Sequence, residues 1–266
     1  MMATEAEILP WIDTHVHWDA AEFDRDRAEA LARARLAGVT HCFNPGVTVA
    51  GISSIRRIAE SASQRNDWPA VLPAYGIHPL YVESAADDDL ALLDQQIVMH
   101  RPCAIGEIGL DGYTGAPDKD KQRNLFEAQL ALAIRHQLPV LLHVRHAVED
   151  VIQALKRVQG ARQKIPGGIA HAFNGSESQA QQLIQMGFIS CSKPMRRTWQ
   201  LHGCTEAEMN RRNCRKSLRC LQICAAYRWK PCRFRHAPTL VGWRLAWPDR
   251  FEMVRAHTQI DSQKTV

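Results

Sequence analysis

No run of about 18 consecutive apolar residues occurs in the chain, so no membrane-crossing helix is expected. The first ten residues, MMATEAEILP, have neither a basic start nor an apolar centre, which excludes a secretory leader and predicts a cytoplasmic protein. No G-x-G-x-x-G follows the first apolar run, so the dinucleotide-binding fingerprint is missing. Cysteine and positive charge are scarce over residues 1–189, which hold only Cys42 and Cys103 and 17 Lys+Arg against 23 Asp+Glu. Residues 190–266 reverse both trends, with six cysteines, four of the seven tryptophans and 16 basic against 5 acidic residues. This tail also lacks steady helical or strand periodicity. The break predicts a folded body over 1–189 and an aberrant basic Cys- and Trp-rich tail over 190–266 that is not a native domain.

What the body does have is repetition. Short apolar runs bounded by turn residues recur at 12–16, 40–43, 71–77, 104–110, 140–144 and 168–172, their starts about 28 to 36 residues apart, the length of one βα unit. Helical periods fill the gaps. The acidic run 24–26 suits the start of a helix over 28–36, and Gly38 is placed to stop it. Leu125, Leu130, Ala133 and Ile134 share a face of a helix following Asp118. Val148, Ile152 and Leu155 repeat the pattern, and Ser176 opens a sixth helix carrying Leu183 and Met186. Six such units predict a parallel α/β sheet covered by helices. The length suits a TIM-type (β/α) barrel, whose site gathers at the strand C-terminal ends.

Histidines and a carboxylate sit at those ends. His15 and His17, at i and i+2 on one expected strand, face the same side. Such a pair either holds one divalent ion or is two hydrogen-bonded structural histidines. Asp13 stands where it could order the pair. Glu107 lies between small residues in Gly106-Glu107-Ile108-Gly109, where a carboxylate could approach two ions. His143 ends the fifth apolar run and His171 closes the sixth. One histidine at a strand end is ordinary. Four, with a glutamate, at a barrel's catalytic rim point to a two-ion hydrolytic site.

The ordered motifs D-T-H-x-H (13–17), G-I-H-P (76–79), G-E-I-G-L-D (106–111), L-L-H-V-R (141–145) and H-A-F-N-G (171–175) resemble those of the TatD family of metal-dependent deoxyribonucleases. The likeness covers residues 11 to about 189. It implies that His15 and His17 bind one ion, that His143 and His171 bind a second, and that Glu107 bridges both. His78 and Arg145 would lie near the substrate phosphate. The implied cofactors are two divalent cations (Mg, Mn or Zn), and the implied activity is hydrolysis of DNA phosphodiesters or a related phosphoester. No membrane association and no obligate protein partner are expected.

The family's barrel continues with a seventh strand and an eighth ending in T-D-x-P, whose aspartate completes the first ion site. No such motif follows Phe188; the late aspartates Asp249 and Asp261 follow no apolar run. The barrel is therefore expected to be incomplete, with strands seven and eight lost. Residues 190–199, written in permitted codons and read from each third base, yield LLETDAPDM, which points to a frame change near Ile189. The alternative is a non-enzymatic protein that binds nucleic acid through its basic tail, with zinc at Cys214, Cys220, Cys224, Cys232, His202 and His236. Their spacing matches no firm C-x2-C pair.

Overall fold

The computed structural model describes residues 11–113, 115–159, 164–171 and 173–190. The expectations for the tail, its shifted frame and its zinc or nucleic-acid module, and for an eighth strand, lie outside the described residues. Strands β1 (Trp11–Asp13), β2 (Val39–Pro45), β3 (Ala70–Tyr75), β4 (Ala104–Asp111), β5 (Val140–Arg145), β6 (Gly168–His171) and β7 (Phe188–Ser190) form one parallel sheet in chain order. Helices α1 (Arg27–Leu36), α2 (Ile52–Ser63), α3 (Asp89–His100), α4 (Lys119–His136), α5 (Val148–Val158) and α6 (Glu177–Gln185) alternate with them. This is the architecture of a TIM-type α/β barrel. Among the described residues, no helix is long and apolar enough to cross a membrane.

The sequence pattern is corrected by one strand. β7 pairs with β6 through Gly168↔Phe188 and Ala170↔Ser190. Gly187, at φ 88°, ends α6 with a left-handed residue, and Phe188 is then buried in the main core. Three residues straddling the compositional break are too few to show a strand period.

Local chemistry explains the helices. The Asp118 carboxylate caps α4 by accepting from the amides of Asp120 and Lys121. Ser176 and Gln179 form a capping box on α6. Gly38, at φ 92°, stops α1 as expected. In α2, Ile52, Ile55, Ile58 and Ala62 are buried, as are Val148, Val151, Ile152 and Leu155 in α5, one stripe on each helix. Each fully buried Ile or Leu contributes about 1.5–3 kcal/mol.

Two apolar layers result. Ile108 and Leu110 of β4 and Val140, Leu142 and Val144 of β5 pack outward with Phe126, Leu130 and Ile152. Phe43, Ala74, Ala104 and Leu141 pack inward, with Ile12, Leu72 and Ile169 against them. Strand alternation then decides what lies above the inner layer. Two residues beyond Leu141 comes His143, and two beyond Ile169 comes His171. All eight residues of β4 are buried, as a strand covered on both faces requires.

Gly109 is needed where β4 meets β5. A Cβ there would stand 2.1 Å from the His143 carbonyl oxygen, and its φ is 149°. Gly109→Ala is expected to destabilise the protein by about 3 kcal/mol through overpacking against backbone. Urea denaturation measures this; an unchanged midpoint would mean that the two strands do not approach so closely.

Candidate metal centre

The histidine pair sits one step beyond where the sequence pattern puts it. β1 ends at Asp13, whose Oδ1 accepts the His15 amide at 3.0 Å and draws the chain out of the ladder into a turn. Asn44, fully buried in β2, accepts the Trp18 amide at 2.8 Å and donates to Asp19 at 2.7 Å. The Val16 amide donates to the Phe43 carbonyl. Held by these bonds, the two imidazoles still converge, with Nε2 to Nε2 at 3.1 Å. His17 Nδ1 lies 3.1 Å from the Pro45 carbonyl, which can only accept, so Nε2 keeps its lone pair in the neutral ring.

Glu107 is the hub. Its side chain is 3% exposed, with Oε2 3.1 Å from His15 Nε2, 3.6 Å from His17 Nε2 and 3.7 Å from His78 Nε2. Its Oε1 is 2.9 Å from His143 Nδ1. Burial opposes the carboxylate's charge, but His15 and the hydrogen bonds of His143, His15 and His17 hold its pKa well below the ordinary value. Burial also opposes charge on His17 and His143, yet Glu107, joined by Asp19 for the first and Asp111 for the second, raises both pKa values. His78 goes the other way. Burial, with neighbouring histidines, lowers it to about 4 against the pull of Glu107.

Two groups of three potential ligands share Glu107: His15–His17–Glu107 and His78–Glu107–His143. Donors about 2.1 Å from a tetrahedrally bound ion lie about 3.4 Å apart. The separations of 3.1 and 3.6 Å in the first group, and 2.9, 3.0 and 3.7 Å in the second, bracket that value. The nitrogen and oxygen donors therefore fit divalent ions.

The placement differs in detail from the sequence reading. His78, expected near a substrate phosphate, stands within the second group, its Nε2 3.0 Å from His143 Nδ1. His171, expected as a ligand beside His143, stacks on His15 at 3.7 Å between ring centroids and belongs to neither group. Strand order thus put it on the rim, where its ring meets that of His15. Arg145 stands at the mouth, 34% exposed, with Nη1 3.8 Å from Asp111 Oδ2.

Three buried residues were not singled out. Asp111 Oδ2 is 3.0 Å from His143 Nε2, so the carboxylate fixes the ring with Nδ1 toward Glu107. From α4, Gln122 clamps the Asp111 backbone at 2.8 and 3.2 Å. Gln129 does the same to Ile77, next to His78, at 2.7 and 3.1 Å. The available signal was an amide at i and i+7 on the apolar face of α4, where an unpaired polar group would be costly.

A parallel barrel sheet whose rim gathers imidazoles around one buried carboxylate defines the class of metal-dependent hydrolases. Within that class the chain belongs to the TatD family: the family model described as "TatD related DNase" matches residues 12–211, running past the compositional break. It is 35% identical over 184 residues to the "Uncharacterized metal-dependent hydrolase YjjV" of Escherichia coli, covering 68% of this chain and 67% of that protein. It is 32% identical over 180 residues to the "3'-5' ssDNA/RNA exonuclease TatD" of a Pantoea strain, covering 66% and 64%. The crystal structure of E. coli YjjV superposes with a TM-score of 0.61 at 33% identity, over 68% of this chain and 66% of that one. The chain thus spans about two thirds of the length of the relatives that it matches.

Proposed function

We propose that this protein binds two divalent cations, Mg, Mn or Zn, around Glu107 and hydrolyses phosphodiester bonds of DNA or a related phosphoester in the cytoplasm. The carrying observation is the Glu107 carboxylate, buried and spanned by His15 and His17 on one oxygen and His143 on the other. The "3'-5' ssDNA/RNA exonuclease" named among its relatives supports a nucleic-acid substrate. Free thiols at Cys42 and Cys103 suit a reducing compartment.

Ions bound there would lower the pKa of water and offset charge on the phosphodiester. The chain's own groups prepare that chemistry. His15, His17, Glu107, His143 and His171 would hold the ions, and His171 stacks on the His15 ring. His78, neutral down to about pH 4, can offer a lone pair to an ion or an N–H to a phosphate oxygen. Arg145 places a partly exposed guanidinium at the mouth, suited to a phosphate.

Titration calorimetry with manganese tests the site through its protons. His17 and His143 have folded pKa values above 6.5, so ions must displace protons from them at neutral pH. Affinity is expected to fall as pH is lowered, starting above 6.5, with net proton release at pH 7. The metal-free fold follows the opposite sign. Stability from charged His17 and His143 is full below pH 6.5 and is lost as pH rises through their raised values. Binding at pH 7 without proton release would sink this assignment.

A further inference from the structure

Beside the ion site stands a flat, partly uncovered aromatic surface that ion binding does not use. Tyr113 follows β4 and is 52% exposed. Its backbone is not loose, because its amide donates to the buried Asp111 Oδ1 at 2.9 Å. The Arg145 guanidinium lies over its ring, 4.0 Å from the centroid, and the His146 ring lies 6.1 Å away at 31°. Arg145 reaches back to Asp111 Oδ2, the oxygen that also contacts His143. One carboxylate thus ties an exposed phenol ring, a cation and an ion-site histidine into a single unit.

We infer that Tyr113, braced by Arg145, is the stacking platform for the nucleobase next to the scissile phosphate of a single-stranded nucleic acid. The inference rests on the phosphodiesterase reading above and deepens it. Arg145 lies over the ring and supplies positive charge where a strand's backbone would run, and the half-exposed residue keeps surface to offer a base. A paired base has no free face, whereas an unpaired one stacks readily, and base–aromatic stacking tolerates any sequence. Fixing Tyr113 through its amide reduces the ordering cost of binding. The platform makes the site selective for single strands without reading a sequence.

The test is equilibrium binding of the full chain, followed by fluorescence anisotropy in calcium at fixed low salt. The probes are a labelled oligothymidylate and an abasic deoxyribose-phosphate oligomer of equal length and charge. Tyr113→Leu is expected to weaken oligothymidylate binding by roughly tenfold while leaving the abasic oligomer unchanged. Tyr113→Trp, which keeps a ring face, is expected to retain affinity. An unchanged affinity of Tyr113→Leu for oligothymidylate overturns the proposal, as does an equal loss for both probes. If the unaltered chain binds both oligomers equally, the platform fails but the phosphodiester reading stands. If it binds neither, both fail.

Discussion

Glu107→Gln is expected to remove both proposed ion sites in one step. An amide keeps the shape but loses the negative charge, and its NH2, in whichever oxygen position it takes, presents hydrogens to an imidazole 3.1 or 2.9 Å away. Loss of an outer partner of a metal ligand costs about 10–100-fold in affinity, and Glu107 is shared by both groups, so a loss beyond 100-fold is expected for each ion. The metal-free protein should also lose about 1–3 kcal/mol, since buried nitrogens lose a strong acceptor. His143→Ala provides the contrast: it strips only the His78–Glu107–His143 group. Calorimetry is expected to count no ions in the first variant and one, the more weakly held ion at His15 and His17, in the second. Two tight ions remaining in Glu107→Gln would show that the carboxylate is not the bridge.

The second large effect concerns activity. The family resemblance places a further carboxylate, in T-D-x-P, beside the His15–His17 pair, and no such motif is written after Phe188. We therefore propose that this chain holds the ion at His15 and His17 more weakly than the other. We further propose that its cleavage of single-stranded DNA is more than about 100-fold slower than in a repaired chain. In the repaired chain β7, which begins at Phe188, is completed as in the family, and the frame that reads LLETDAPDM follows it. In it, cleavage should be abolished by chelator and by Glu107→Ala. Equal rates from the chain as written and the repaired one, with equal chelator sensitivity, would overturn the inferred frame change.

Much of the barrel was legible because its parallel strands must be apolar on both faces and its helices on one. Each of the six expected strands is present within a few residues of its apolar run. The rim histidines were legible through strand ends, which topology brings together whatever their sequence separation. Depth was not legible. That Asp13 would turn the chain out of β1, that His78 would reach Glu107, and that His171 would lie flat on His15 depend on angles no motif encodes. Asp111 was visible within G-E-I-G-L-D, but its partner is 32 residues away on the neighbouring strand. β7 was hidden by its brevity.

The two glutamines of α4 make that helix a ruler. Gln122 grips the segment carrying Asp111 and Gln129 the segment before His78, so the distance between the two grips is two helical turns, about 10.5 Å. The outer face of α4 can drift freely in composition, but its length between the glutamines cannot. One inserted residue would rotate everything beyond it by about 100° and release one of the two loops. Variation in this region of the family should therefore run to substitutions and avoid insertions, although neither glutamine is among the proposed ion ligands.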